Sequence, residues 1–91
     1  MDYLDIIIPV KNESDNVEEL IQRIDRAMGS AGIPYLMIFV DDHSTDTTVS
    51  ILQQLSIDYP IKIHTKQGKP GKAFCILEGA ELATSEFVAM I

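Results

Sequence analysis

Acidic and hydroxyl side chains stand directly behind an apolar run, and they are the residues of this chain best suited to bind a ligand. The run covers residues 35–40, and Asp41, Asp42, Ser44 and Asp46 follow it. Carboxylates at the carboxyl end of a parallel strand lie where open α/β sheets bind their ligands. Two interpretations stay open. One Asp accepts a hydrogen bond from a ligand N–H or ribose hydroxyl, or these residues only cap the helix that follows.

A second polar pair follows the first apolar run of the chain. Residues 4–9 form that run, and Asn12 and Glu13 come shortly after its closing Pro9. Proline fixes the backbone there and removes a hydrogen-bond donor, which leaves room for a planar group beside the loop. Alone, the pair would be ordinary loop residues. Beside the acidic residues of the next loop, they are predicted to border the same ligand.

A glycine-rich basic loop is the third candidate binding segment. It contains Gly68, Pro70 and Gly71 ahead of a predicted helix, together with three lysines, Lys66, Lys69 and Lys72. Glycines let a backbone approach a phosphate closely, and lysines offset its charge. A solvated surface loop is the alternative. The segment is not a Walker P-loop, because its glycines are too close together and Ala73 replaces the required Ser or Thr. The chain also lacks the G-x-G-x-x-G pattern of a dinucleotide site.

The remaining reactive side chains form no recognisable catalytic group. His43 and His64 have no second histidine at metal-binding spacing, and no Ser-His-Asp or Cys-His grouping is indicated. Cys75 is the only cysteine, so an internal disulfide is excluded and a packed thiol in a reducing compartment is expected. The sequence therefore supplies candidate binding residues but no assignable catalytic base or metal ligand.

Apolar runs alternate with helical stripes along the chain, and this alternation predicts the fold. Residues 4–9 and 35–40 are apolar runs typical of buried strands, and residues 86–91 begin a further strand. Residues 61–65 alternate as in a strand at or near a sheet edge. Short strand–helix units imply parallel strands and right-handed crossovers. We therefore expect an α/β fold, a Rossmann-like open parallel sheet with helices on both faces. In such a sheet the candidate loops meet at one edge.

Three helices are predicted to connect these strands. The first is capped by Ser14 or Asp15 and stops at Gly29 and Gly32. Its apolar face repeats at helical spacing: Val17, Leu20, Ile21, Ile24 and Met28. The second covers residues 46–55, and the third follows the glycine-rich basic loop.

Length and composition indicate one small globular domain or a piece of one. The chain has 91 residues, of which 46% are hydrophobic, and a formal net charge of -7. This charge opposes binding to nucleic acid or to an anionic lipid surface, since clustered Lys and Arg capture both. No stretch reaches the roughly 18 apolar residues of a membrane span, and the first residues lack the basic start of a signal peptide. A cytoplasmic location is therefore expected.

Three motifs, in their order and spacing, resemble one known family. They are IIIPVKNE at residues 6–13, VDDHSTD at residues 40–46, and GKPGKA with EGAELA within residues 68–83. Together they resemble the nucleotide-binding half of the inverting family 2 glycosyltransferases with the GT-A fold, over nearly the whole chain. Within that family, the chain is similar to polyprenyl-phosphate sugar transferases of the dolichyl-phosphate mannose synthase type. His43 stands where the family commonly has a small or amide residue.

The resemblance implies transfer of a sugar from a UDP- or GDP-activated donor to an acceptor, with a polyprenyl phosphate as the candidate acceptor. It also implies which residues bind the nucleotide. Asp42 would accept from the base with support from Asp41, Lys72 would face the diphosphate, and the base and ribose would be bordered by Pro9, Asn12 and Glu13.

The resemblance further implies a metal site beyond these residues. In the family, the strand matching residues 86–91 runs into an Asp-x-Asp motif that holds Mg or Mn, and the catalytic base comes later. Residues 1–91 are therefore expected to be the N-terminal nucleotide-sugar-binding portion of a GT-A domain, truncated before that motif and inactive alone. The last strand is expected to promote self-association through its exposed edge.

Two alternatives come from other functional classes. A receiver-type signalling domain also has an acidic pair beside a parallel sheet, but it needs an acceptor Asp at the end of another strand. The corresponding ends here are Pro9-Val10-Lys11 and Thr65-Lys66. The other alternative is a non-catalytic nucleotide-binding or interaction module.

Overall fold

An open parallel sheet organises the part of the chain that the computed structural model describes, which is residues 4–66 and, as a backbone strand, residues 87–90. The elements in chain order are β1 (Leu4–Val10), α1 (Val17–Ala31), β2 (Tyr35–Asp41), α2 (Thr48–Leu55), β3 (Ile61–Thr65) and β4 (Phe87–Met90). The strand order is β3-β2-β1-β4, and every pairing in it is parallel. The predicted α/β fold with an open parallel sheet is confirmed.

Strand β1 lies inside the sheet and pairs on both sides. Leu4 is opposite Tyr35 of β2 on one side and opposite Phe87 of β4 on the other. The chain therefore runs outward from β1 through β2 to β3, and then returns across β1 to reach β4. At such a reversal the carboxyl ends of two neighbouring strands leave a crevice, which is where open α/β sheets bind ligands.

Both faces of the inner strands are buried, as their continuous apolar runs predict. On one face, both described helices pack with β1 and β2 in the main hydrophobic core: Ile6, Ile8, Val10, Val17, Ile21, Ile24, Met37, Phe39 and Leu52. On the opposite face, Ile7, Ile38 and Val40 form a second buried cluster. Each such side chain contributes about 2 kcal/mol when it leaves water. The helix predicted after the glycine-rich basic loop lies outside the described residues.

Helix α1 forms where its apolar stripe predicts it but begins later than expected. It starts at Val17, with Asn16 at the N-cap position and no side-chain capping bond. The carbonyl of Glu13 instead accepts from the N–H groups of Asn16 and Val17 and closes the preceding turn. The predicted cap from Ser14 or Asp15 is therefore wrong, because the main chain already closes the turn before the first helical residue.

The end of α1 agrees with the prediction. Gly32 has a φ of 67°, in the left-handed region that suits glycine, and its N–H donates to the carbonyl of Gly29 over 3.2 Å. The N–H of Ile33 then donates to the carbonyl of Met28 over 3.0 Å. These bonds satisfy carbonyls that the last helical turn leaves without partners.

The outer strands also follow the sequence. Among the described strands, β3 pairs only with β2 and carries half-buried and exposed residues, so its predicted edge position is confirmed. β4 confirms the strand expected at residues 86–91. Helices α1 and α2 have 15 and 8 residues, and neither described helix is long and apolar enough to cross a membrane.

Candidate functional site

The loops that follow β1 and β2, residues 9–14 and 41–48, are joined by hydrogen bonds at the carboxyl edge of the sheet; they are called the rim below. The N–H of Asn12 donates to the Ser44 hydroxyl over 2.9 Å. The amide oxygen of Asn12 accepts from the N–H of Thr45 over 2.8 Å. These partners lie 32 and 33 positions apart in the sequence. The predicted meeting of the two loops is therefore confirmed.

The fully buried Thr48 fastens Asp46 to the first loop. Its hydroxyl accepts from the N–H of Glu13 over 2.9 Å and donates to Asp46 Oδ1. Asp46 also accepts from the N–H groups of Thr48, at 2.9 Å, and Ser14, at 3.3 Å. These donors, the Thr48 hydroxyl foremost, lower the pKa of Asp46 from 3.8 to about 2. Asp46 thus closes the turn that leads into α2, whereas the N-cap position itself is Thr47, which makes no side-chain capping bond.

Asp41 is buried at the end of β2, and its carboxylate closes the turn behind it. Oδ2 accepts from the N–H of Ser44 over 3.1 Å, and Oδ1 accepts from the Ser44 hydroxyl. The turn passes through His43, which is exposed and has a φ of 58°. Few residues other than glycine adopt a positive φ, although Asn and His do so more readily than most. The turn therefore places a residue with a Cβ atom in the left-handed region.

Asp42 is also buried, but its carboxylate faces a cation. Its side chain is 11% exposed, and Oδ1 lies 3.7 Å from the ammonium of Lys66, whose side chain is fully buried. Lys66 is the first residue after β3, so the end of a third strand joins the rim. The mutual attraction offsets part of the cost of removing both charges from water. The sequence placed Lys66 in a phosphate-facing loop, and the structure instead buries it against Asp42.

A cavity of about 400 Å³ opens at the carboxyl end of β1, beside α1. Pro9 and Glu13 line it together with apolar side chains that include Val10 and Leu20. The Glu13 carboxylate accepts from the Asn16 amide over 3.2 Å. The lining thus combines apolar side chains with the charged side chains of Glu13, Glu19 and Arg23.

The predicted binding residues in the described part of the chain all lie at the rim: Pro9, Asn12, Glu13, Asp41 and Asp42. Lys72 lies outside the described residues. Sequence reasoning missed Thr48 and the burial of Lys66. The available signals were the Asp-x-Thr spacing of Asp46 and Thr48, and the place of Lys66 directly behind an edge strand. The binding roles of all these residues stay predictions.

The described residues do not fit a divalent-cation site. Within residues 4–66, no group of three or more His, Cys, Asp or Glu side chains is placed to hold a metal ion. The oxygens of Asp41 already accept from Ser44, and those of Asp46 already accept from Thr48 and Ser14. The carboxylates of Asp41 and Asp46 therefore stabilise the loops of the rim.

One protein family accounts for nearly the whole chain. The model of Glycosyl transferase family 2 matches residues 5–91. The chain belongs to this family. The resemblance carried by the sequence motifs is thereby confirmed, and the receiver-type alternative is set aside because the same acidic turn falls within the family 2 match.

Curated relatives of this family 2 chain act on lipid-linked phosphates, according to their names. A dolichol-phosphate mannosyltransferase from Pyrococcus furiosus is 38% identical over 86 residues, which cover 93% of this chain and 24% of that protein. An undecaprenyl-phosphate 4-deoxy-4-formamido-L-arabinose transferase from Edwardsiella ictaluri is 38% identical over 52 residues, which cover 57% of this chain and 16% of that protein. The chain thus spans a quarter or less of the length of these relatives.

Solved glycosyltransferases share the fold of this family 2 chain. The S. aureus TarS 1-349 structure matches with a TM-score of 0.74 at 22% identity, over 98% of this chain and 26% of that one. The mannosyltransferase PcManGT from Pyrobaculum calidifontis, in complex with GDP-Man and Mn²⁺, matches with a TM-score of 0.73 at 24% identity, over 96% and 26% of the two chains. The GT-A type of fold is confirmed by these matches.

Proposed function

We propose that this chain is the nucleotide-binding portion of a longer family 2 glycosyltransferase, which transfers a sugar from a nucleoside-diphosphate donor. The rim is the observation that carries the proposal. Two loops are cross-linked at the carboxyl edge, next to the reversal of strand order beside β1, and they present a buried carboxylate. Relatives of this fold have been solved with UDP and with GDP-Man.

Asp42 and Asp41 have different roles in recognising the base. The Asp42 carboxylate accepts a hydrogen bond from an N–H group of the base, and a buried acceptor discriminates strongly against a base that offers no donor. Asp41 supports it indirectly, because its oxygens hold the turn at Ser44. Pro9 supplies a flat apolar surface at the mouth of the cavity for the ring.

The first loop and the basic loop complete the proposed site. Glu13 lies at the cavity and accepts from a ribose hydroxyl. Asn12 borders the ribose with its backbone, while its amide oxygen keeps the two loops together. Lys72 faces the diphosphate, whose charge would otherwise be repelled by the acidic rim.

The divalent cation proposed for the longer enzyme, Mg or Mn, is not held by the described residues. A relative of the same fold binds Mn²⁺ together with GDP-Man. The oxygens of Asp41 and Asp46 are already occupied by hydrogen bonds within the rim, so we expect the ligands of that cation to come from other residues. The chain's own contribution is to bind and orient the nucleotide.

A polyprenyl phosphate at the cytoplasmic face of a membrane is the proposed acceptor. The names of the relatives support it, since they specify dolichol phosphate and undecaprenyl phosphate. Transfer of label from GDP- or UDP-sugars to a polyprenyl phosphate by the longer enzyme would support this acceptor. Transfer to a protein or polysaccharide alone would contradict it.

The nucleotide site is tested by calorimetric titration of the longer enzyme with UDP and GDP in the presence of Mn²⁺. One of the two nucleotides is expected to bind, and Asp42→Asn is expected to weaken it at least about tenfold, the scale of a hydrogen bond to a charged group. Asp58→Asn is the matched control, because Asp58 is exposed in the turn before β3. Failure of both nucleotides to bind, or equal affinity in Asp42→Asn, would refute the proposed site.

We also propose that the 91-residue chain by itself associates through residues 86–91. Among the described strands, β4 pairs only with β1, so its outer edge offers backbone N–H and C=O groups to another strand. Sedimentation velocity over a concentration series is expected to show dimers or larger species. A strict monomer at the highest concentration would contradict the proposal.

A further inference from the structure

Lys66 has a fully buried charged side chain that the binding site does not yet explain. It follows β3 directly, and its side chain is fully buried. Its ammonium lies 3.7 Å from Oδ1 of Asp42, whose side chain is itself 11% exposed. A lysine that binds phosphate has to reach solvent or ligand with its terminal nitrogen. The burial of Lys66 removes it from that role.

Hydrogen bonds to Val10 of β1 and to Lys66, directly after β3, fix the main chain around Asp42. The N–H of Asp42 donates to the carbonyl of Val10 over 2.9 Å, and the N–H of Lys66 donates to the carbonyl of Asp41 over 2.8 Å. These bonds extend the pairing of β1, β2 and β3 by one step beyond the strands. They engage the two polar groups of a single peptide unit, the one between Asp41 and Asp42. The backbone at Asp42 is therefore fixed before any ligand arrives.

The side chain of Asp42 lies beside the ammonium of Lys66, whose charge is placed to restrain the orientation of the carboxylate. A buried ammonium is retained in a protein when a counter-charge is close, and the two charges then restrict each other's position. A carboxylate fixed in advance binds its ligand with a smaller loss of conformational entropy than a mobile one. The pairing of Lys66 with Asp42 has this consequence for any group that Asp42 contacts.

We propose that Lys66 is a positioning residue of the donor site, which holds the Asp42 carboxylate in place for the base of the nucleotide and does not contact the phosphates. This inference rests on the proposed function, because it assumes that Asp42 accepts from the base. The inference gives the lysines of the glycine-rich basic loop different roles. Lys66 serves base recognition from within the protein, and diphosphate binding is left to the lysines further along the chain.

The test compares nucleoside monophosphates with diphosphates in the longer enzyme. Calorimetric titrations with UMP, UDP, GMP and GDP in the presence of Mn²⁺ are made for the wild type and for Lys66→Met. For the base that the wild type binds, Lys66→Met is expected to raise the dissociation constants of mono- and diphosphate by the same factor, roughly tenfold, with unchanged stoichiometry. Lys62→Met removes a lysine from the exposed side of the same strand and is expected to change neither constant.

A double variant keeps the inference testable if Lys66→Met alone does not fold. Removing both charges of a buried pair is better tolerated than removing one. Asp42→Asn with Lys66→Met is therefore expected to fold and to bind nucleotide as Asp42→Asn does. A further loss of affinity in the double variant would show that Lys66 acts independently of Asp42, and would overturn the inference.

The other outcomes are also decisive. A larger loss for the diphosphate than for the monophosphate in Lys66→Met would show that Lys66 acts on the phosphates, and unchanged constants with a lower melting temperature would make it a structural residue only. Either result overturns this inference and leaves the donor site standing. Absence of nucleotide binding in the wild type would instead overturn the proposed function itself.

Discussion

The two ends of the sheet close their loops by different means. At the amino end, the turn from α1 to β2 uses Gly32 at a φ of 67°, and main-chain hydrogen bonds complete it. At the carboxyl end, two positions of similar conformation carry side chains instead, Asn12 at a φ of 52° and His43 at 58°. A left-handed conformation is unfavourable for a residue with a Cβ atom. The positive-φ positions at the rim therefore carry this energetic cost, whereas Gly32 at the amino end does not.

The two ends of the sheet also differ in how far apart in the sequence their hydrogen-bonded residues lie. At the amino end, the Tyr35 hydroxyl donates to Asp25 over 2.6 Å, in an exposed bond between residues ten positions apart. At the rim, hydrogen bonds span 32 to 35 positions: the exposed N–H of Asn12 donates to the Ser44 hydroxyl, and the N–H of Glu13 donates to the Thr48 hydroxyl in a half-buried bond. Polar side chains at the amino end therefore join elements that are close in sequence, whereas those at the rim fix two distant loops relative to each other.

Asn12→Ala is expected to have the largest effect on stability. It removes the acceptor for the Thr45 N–H and places alanine at a positive φ, for a combined loss of about 2 kcal/mol. Chemical denaturation measures this loss. Asn12→Gly removes the cost of a Cβ atom at a positive φ, so it should lower the free energy of unfolding by only about half as much. Equal losses in the two variants would show that backbone conformation at this position does not matter.

Thr48→Val should cost about 1.5 kcal/mol, because it keeps the shape of a buried side chain and removes a hydroxyl that bonds Glu13 and Asp46. It should also raise the pKa of Asp46 from about 2 toward 3.8, which NMR titration of the carboxyl carbon measures. The lowered pKa in the wild type means that Asp46 stabilises the fold above about pH 4 and that this contribution is lost as the pH falls toward 2. Thr47→Val, at an exposed neighbour without a side-chain capping bond, is the control.

Gly32→Ala tests the amino end and should cost about 1 kcal/mol. A Cβ atom there meets no other atom within 4 Å, so the loss measures the left-handed backbone alone. Gly29→Ala is matched to it, since that position is helical, equally open, and should gain about 0.5 kcal/mol. Destabilisation by both substitutions would refute the conformational explanation.

His43→Gly is expected to stabilise the chain by about 0.5 kcal/mol, because relief of the positive φ outweighs the added freedom of glycine in the unfolded chain. Thermal unfolding of the two proteins, side by side, measures the change. A clear loss of stability would mean that the His43 side chain makes a contact of value at the rim, and the comparison between the two ends would then be stronger still.

Tyr35→Phe should have the smallest effect, about 0.5 kcal/mol, because its bond to Asp25 is exposed. Burial, and then the bond to Asp25, raise the pKa of the Tyr35 phenol above its usual range. The contribution of the phenol is therefore fully present below about pH 10 and is lost as the pH rises further. Urea titrations at neutral and alkaline pH, compared with those of the phenylalanine variant, measure it. A loss as large as that in Thr48→Val would remove the contrast between the two ends.

Strands and helix faces could be predicted from the sequence because they depend on local repeats. The continuous apolar run at residues 35–40 and the alternation at residues 61–65 report burial on two faces or one. The start of α1 could not be predicted in this way. Ser14 and Asp15 are both suitable caps, and only the position of the Glu13 carbonyl decides that the helix begins at Val17.

The location of the rim could be predicted from the sequence, but the contacts within it could not. Strand ends located the acidic pair at the edge where ligands bind, yet Asp41 and Asp42 are indistinguishable in the sequence. In the structure, the oxygens of Asp41 accept hydrogen bonds from Ser44, and the carboxylate of Asp42 lies beside the ammonium of Lys66. Such assignments depend on groups that approach from distant parts of the chain, and local patterns contain no information about their distances.

The separation of the partners in the rim also determines when this edge can form during synthesis. Asn12 and Glu13 leave the ribosome before their partners Ser44 and Thr48, which emerge 32 and 35 residues later. The entropy of closing that length of chain has to be overcome before the contacts contribute anything. In the nascent chain, the first loop therefore stays without its final shape until β2 has been made and has docked beside β1.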